Sequence, residues 1–279
     1  MRRSILLVFI IQFCVTLLFC QSSVSSESEA IFDQGMLLYN QENYEEAITK
    51  FGAAAELDGK RAETYFRIGL CYKRLKRVNE SIRYFSKAIR LDSSYREAYG
   101  YRAYANTDAE NYRCALADFN EVIKLDTVNI CLYFTRGIVK SNLKNYRGAV
   151  EDYNYLLERK SELTTKEITA VYFNKAEVEY YWGKTDQAYR DFKAVVQRDP
   201  SNTEAFLYLG YIRIDQGFYE EAIAYLDACL EIDESNHEAL YLRGWCKFYL
   251  DVEDWGEADL QRSVSLGNRD ARAFLKENF

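Results

Sequence analysis

A small residue recurs along this chain on a fixed ruler, at Gly35, Gly69, Ala103 and Gly137 in steps of 34. It continues at Ala176, Gly210 and Gly244, with steps of 39, 34 and 34. A second small residue lies twelve positions further on, at Ala47, Ser81, Ala115, Ala149, Ala188, Ala222 and Gly256. Four beyond that stands a bulky residue: Phe51, Phe85, Phe119, Tyr153, Phe192, Leu226 and Leu260. All three series share one 39-residue step. The pentapeptide YEEAI, at Tyr44 and again at Tyr219, is separated by 175 residues, five periods of 34 plus the same five. Repetition at this period leaves few folds open, since a unit of that length cannot bury its own apolar face and must stack on its neighbours.

Each unit reads as two helices. In RAETYFRIGLCYKRL, Tyr65, Ile68, Gly69 and Tyr72 share one helical face, and in NESIRYFSKAIRLD so do Ile82, Phe85, Ala88 and Ile89. Glycine inside a helix costs roughly 0.5–1 kcal/mol relative to alanine. Its recurrence predicts a close approach in which a small residue on the first helix faces a small residue on the second. Pro200 is the only proline, so long helices are allowed elsewhere.

These positions resemble the tetratricopeptide repeat family over residues 28–267. The family pattern of aromatic, Leu-Gly, Tyr, Ala, aromatic, Ala and Pro appears in the second unit as Tyr65, Ile68-Gly69, Tyr72, Ser81, Phe85 and Ala88. Ser93 stands where the proline would be, and the fifth unit alone keeps it, as Pro200. The resemblance implies an all-α, right-handed helical solenoid of seven tandem helix-turn-helix repeats with a C-terminal capping helix. The five extra residues are TTKEI, 164–168, where Thr164 and Glu167 have capping-box spacing and predict an early helix start. The seventh unit is more polar, and residues 268–279, with Ala271, Phe274 and Leu275, are placed to cover its open edge.

The N-terminus has another character. MRRS precedes an apolar run from Ile5 to Cys20 broken only by Gln12 and Thr16, and QSSVSSESE follows. That order predicts a secretory signal over 1–22 and a short polar linker over 23–27. Two alternatives are an uncleaved anchor and a lipoprotein signal over 1–19 with Cys20 acylated, although Phe19 departs from the small residue such a motif has before its Cys. Export to a bacterial periplasm or outer membrane is the expectation, and a eukaryotic secretory pathway or the extracellular space the alternative. Contact with a membrane would then run only through this signal or lipid.

Function classes narrow from here. With 36 Lys+Arg against 43 Asp+Glu the net charge is −7, which speaks against nucleic-acid binding. His237 is the only histidine, so no His pair for a metal and no second histidine-based dyad exists, and there is no phosphate-cradling glycine motif. No catalytic residue, cofactor or metal is expected. The five cysteines beyond the signal, Cys71, Cys114, Cys131, Cys229 and Cys246, are odd in number without a CxxC pair, and each is expected as a small buried hydrophobe. The sequon at Asn79 coincides with Ser81, a packed position, and is read as chance.

What remains is a surface. In the family, ligands lie along the concave face at first-helix positions two, five, six, nine and twelve of the repeat. Carried onto this chain, those positions give Phe32, Phe66, Tyr101, Tyr104, Phe134, Phe173, Tyr180, Tyr208, Tyr211, Tyr241, Trp245 and Phe248 as a candidate peptide-binding groove. Packing between repeats is the competing explanation, above all at position five. Glu29, Glu63, Glu97, Glu204 and Glu238 at position two would add an acidic rim. The family's carboxylate clamp for chaperone tails needs Lys at position five, where this chain has Phe, Phe, Gly, Phe, Phe, Leu and Tyr, so that mode is absent. The expectation is a non-enzymatic scaffold or adaptor that holds a peptide or helix of a partner protein in envelope or secretory assembly. The alternatives are a secretory-pathway co-chaperone and a self-associating structural solenoid.

Overall fold

The computed structural model describes residues 26–125, 129–250 and 256–278. The N-terminal run with Cys20 lies outside them, as do residues 23–25 of the polar stretch; residues 26 and 27 are already helical. The chain divides into two compact units, residues 1–132 and 133–279.

In the first unit, α1 (26–40) is followed by α2 (Tyr44–Leu57), α3 (Ala62–Arg74), α4 (Val78–Leu91), α5 (Arg96–Asp108) and α6 (Tyr112–Leu125). From α2 onward each helix packs on the next. Phe51, Phe85 and Phe119, one per repeat, are wholly buried between them. The division falls within α7 (Cys131–Asn142). The second unit continues with α8 (Tyr146–Glu158), a 3-10 turn (Lys160–Glu162), α9 (Thr165–Tyr181), α10 (Thr185–Arg198), α11 (Thr203–Asp215) and α12 (Tyr219–Ile232). It ends in α13 (His237–Tyr249), α14 (Gly256–Ser265) and α15 (Arg269–Asn278). Its core residues on the same register are Tyr153, Phe192, Leu226 and Leu260. Among the described residues no helix is long and apolar enough to cross a membrane.

The inserted segment is helix. Thr164 Oγ1 accepts from the Glu167 amide at 3.3 Å, and the Glu167 carboxylate accepts from the Thr164 amide at 2.8 Å. The capping box starts α9 early, giving it 17 residues against 13 in α11 and α13.

The recurrent glycine does something other than what its spacing predicts. A Cβ on Gly35, Gly69 or Gly137 would lie 2.6–2.7 Å from the ring carbons of Phe51, Phe85 or Tyr153. The small residue on the first helix therefore receives the bulky residue sixteen positions later, not the small one at twelve. In the last repeat a Gly244 Cβ would meet both, lying 2.7 Å from the Gly256 carbonyl oxygen and 2.9 Å from Leu260 Cγ.

A second regularity holds the helix pairs together through buried aspartates. Arg102, Arg136 and Arg243, one residue before the glycine position, each form a bidentate pair with the aspartate sixteen residues on: Asp118, Asp152 and Asp259. Lys175 makes a single ion-paired hydrogen bond to Asp191 at the same spacing, at 2.6 Å. Of the five cysteines, Cys71, Cys229 and Cys246 are buried, and loss of solvation pushes their thiols up to about 12, 11 and 12. Cys114 and Cys131 are exposed, contrary to the expectation that all five would be interior.

Candidate functional site

The aromatic positions separate into three kinds of place. Phe32 and Phe66 are core: Phe32 packs on Phe51 at 5.2 Å, and Phe66 sits among Phe85, Tyr95 and Tyr101. Phe134, half-buried, leans on Tyr153 at 6.0 Å. Tyr101 and Tyr104 are both exposed on the first unit, and the Lys73 ammonium stands 4.9 and 5.7 Å from their ring centres.

At the far end of the second unit, Trp245 is half-buried against Tyr219 and Tyr249, with ring centres 5.6 and 4.2 Å away. Phe248 meets Phe274 of α15 edge-on at 5.2 Å, so the last helix covers part of it. Tyr241 is half-buried, and burial, Asp270 and Glu238 together push its hydroxyl up.

The third place is where α9 and α11 lie side by side, and it joins four of the expected residues. Tyr208 stacks on Phe192 at 4.7 Å and meets Tyr180 and Phe173 edge-on at 5.5 and 6.2 Å; Tyr211 follows at 6.5 Å. Every hydroxyl in this set is anchored to a carboxylate. Tyr208 donates to Glu177 at 3.1 Å and Tyr180 to Asp215 at 3.4 Å, and Tyr211 donates to Glu238. Desolvation, then these acceptors, pushes all three hydroxyls above the ordinary phenol range, so they remain donors at neutral pH. Burial and the nearby Glu177 likewise raise Glu204.

Two hollows adjoin along α9. One, of about 600 Å³, is lined by Thr165, Ala170, Phe173, Asn174, Asn202 and Glu204 among others, and the inserted turn supplies part of its wall. The other, about 280 Å³, is bordered by Ile138, Ser141, Asn174, Glu177 and Tyr181. Asn174 lines both, so the two hollows meet at its side chain on the second unit.

Asn174 and Glu177 stand at family positions six and nine of the fifth repeat and were passed over because only aromatics were singled out; Tyr181, one beyond position twelve, is 58% exposed with its hydroxyl 3.3 Å from that of Tyr208. The signal was present: residues 170, 174, 177 and 181 follow one another at helical spacing along a single stripe of α9. His237 begins α13, and its carbonyl accepts from Ser263 Oγ at 2.6 Å. Among the described residues no three His, Cys, Asp or Glu side chains are grouped to hold a metal.

Family models described as tetratricopeptide repeat match residues 62–95 and 183–248. Among solved structures, the chain is similar to a tetratricopeptide repeat protein from Parabacteroides merdae at 17% identity and a TM-score of 0.60, over 90% of this chain and 98% of that one. The C-terminal part of a TPR repeat-containing protein from Cytophaga hutchinsonii aligns at 16% identity and a TM-score of 0.68, over 87% and 98%. The pilF protein of Pseudomonas aeruginosa aligns at 18% identity and a TM-score of 0.59, over 79% and 100%. At these identities the likeness is one of fold. Among curated proteins no sequence relative matches. The chain carries tetratricopeptide repeats over residues 62–95 and 183–248, within a fold of tandem helix pairs like that of these structures.

Proposed function

We propose that this protein is a non-enzymatic interaction scaffold whose second unit holds an extended peptide of a partner protein in the α9–α11 groove. The observation that carries this is the junction at Asn174 of two hollows walled by Phe173, Tyr181 and their neighbours. Tyrosine offers rigid contact area with a polar tip, which suits it to binding surfaces. The largely apolar stretch from Ile5 to Cys20 supports delivery outside the cytoplasm, where envelope or secretory assembly is the setting.

A photo-reactive amino acid at Asn174, in protein expressed in its native host, tests the groove against the same probe at Arg190, exposed on α10. The expected result is a cross-link from position 174 alone, mapping to one linear segment of one partner and displaced by that segment as a synthetic peptide. Equal labelling from both positions, no label from 174, or labelling only of a second copy of this chain overturns the peptide groove. Intact mass reads the N-terminus: a chain beginning at Ser23 or a lipid on Cys20 supports export, and a retained Met1 in soluble protein overturns it.

A further inference from the structure

The two units place the same repeat positions in opposite electrostatic situations. In the first unit, Glu63 at position two is paired by Arg61 and by Arg67, each at 3.2 Å. Arg61 also lies 3.8 Å over the ring of Phe32. The equivalent residues in the second unit are Glu204 for Glu63, Asn202 for Arg61, Tyr208 for Arg67 and Phe173 for Phe32. The acid and the ring are kept while both arginines are replaced by neutral residues.

A second replacement appears in a different register, with the second and third repeats set against the fifth and sixth. Lys73 stands over Tyr101 and Tyr104 in the first unit. In the second the matching trio is Tyr180, Tyr208 and Tyr211, with the lysine position occupied by a tyrosine whose hydroxyl is held by Asp215. Glu177, Glu204 and Asp215 have no Lys or Arg within ion-pair distance among the described residues. The bases bordering the groove are Lys166 at the inserted turn, Arg198 at the end of α10 and Lys144 beside the other hollow. Arg198 is already engaged, donating to the Ala194 carbonyl at 2.7 Å and covering Tyr172.

We infer that the groove takes a cationic peptide, whose lysine or arginine side chain sits beside Glu204 and over Phe173, in the place that Arg61 fills over Phe32 in the first unit. This rests on the peptide groove proposed above and names the chemistry of its occupant. A cation beside an aromatic face gains from the ring quadrupole, and the neighbouring carboxylates add charge complementarity that favours basic partners over others. The tyrosine hydroxyls hold those carboxylates toward the rings rather than free in solvent.

The test uses the whole chain and a fluorescein-labelled dodecapeptide of lysine, leucine and serine, compared by anisotropy with the same peptide acetylated on every lysine. The wild type should bind the lysine form about tenfold more tightly than the acetylated form, a preference that fades with added salt. The double variant Asn202→Arg, Tyr180→Lys installs the first unit's own cations and should erase that preference. Glu220→Gln, Glu231→Gln, which removes two exposed acids of α12, should leave it intact.

Equal affinity for the two peptides, or a preference that survives in the self-occupied variant, overturns the cationic occupant. If both peptides bind equally and both are lost in that variant, the groove stands and only its charge preference falls. If neither binds, cross-linking from Asn174 separates the cases. A captured segment without lysine or arginine overturns the charge inference alone, and no capture overturns the groove as well.

Discussion

At the scale of single residues, the glycines show how much a side chain's absence can decide. Gly137 is the socket for Tyr153, whose ring carbons would lie 2.7 Å from an added Cβ, and the ring is fully enclosed. Gly137→Ala should therefore destabilise by about 1–3 kcal/mol, the cost of overpacking a filled core. Gly52, inside α2 with nothing within 4 Å of its missing Cβ, should respond in the opposite sense. Gly52→Ala should stabilise by roughly 0.5–1 kcal/mol through helix propensity. Urea titration of both variants checks the pair, and equal signs would mean that the glycines serve flexibility rather than fit. The identity of the socket positions was legible from the 34-residue ruler alone, whereas their occupant was not. Spacing along one helix shows which residues share a face. Which residue of the next helix lands on that face depends on the crossing of the two axes, and nothing in a linear period encodes it.

At the scale of the helix pair, the ion pairs formed at sixteen-residue spacing are alternatives to an apolar contact. Where the third, fourth, fifth and seventh repeats have a base and an aspartate, the second has Ile68 with Tyr84 and the sixth has Leu209 with Tyr225. The two positions change together, a signal visible in the sequence once the repeats are aligned but hidden while each repeat is read for amphipathicity alone. Asp118 is buried and holds both arms of Arg102, at 2.8 and 2.6 Å. Asp118→Ala strands that guanidinium with only Ser86 and should cost about 3 kcal/mol. Arg102→Leu, Asp118→Tyr, which copies the sixth repeat, should recover most of that loss; a double variant no better than the single one would show that the pair is not exchangeable. Asp259 adds a pH dependence. Burial alone would raise its carboxyl, but the hydrogen bonds and charges of Arg243 and Lys247 outweigh this and hold it below the ordinary range. A carboxylate depressed in the folded state contributes stability that is present above its unfolded value, near 3.8, and is lost as pH falls through the folded one. The acid limb of the stability curve should therefore be shallower in Asp259→Asn than in the wild type, read by urea titrations between pH 5 and 2.

At the scale of the molecule, the helix contacts within each unit run almost wholly between neighbours in sequence, from α2 with α3 to α5 with α6 in the first and from α8 with α9 to α14 with α15 in the second. Stability in such an array is a local sum, and the end is protected only by its cap. The fold was legible because seven registers repeat one pattern. The groove was only half legible, because family positions single out aromatics whether they face solvent, as at Tyr104, or the core, as at Phe66. The carboxylates that anchor its tyrosine hydroxyls come from different helices, as Glu238 of α13 does for Tyr211 of α11, and no single helical period links them. That anchor depends on the cap in turn. Asn268, just before α15, donates to Glu238 at 3.2 Å and to the His237 carbonyl at 3.3 Å, Ala271 is fully buried, and Phe274 covers Phe248. A chain ending at Gly267 loses all four contacts. Its α13 and α14 amides should exchange with deuterium markedly faster than in the full chain, while those of α9 and α10 keep their protection. Because Glu238 loses Asn268 but keeps Tyr211, binding in the groove should weaken only slightly in the shortened chain. Faster exchange spread evenly from α9 to α14 would show that the second unit opens as one cooperative block. The groove would then depend on the cap for its existence and not only for the setting of one carboxylate.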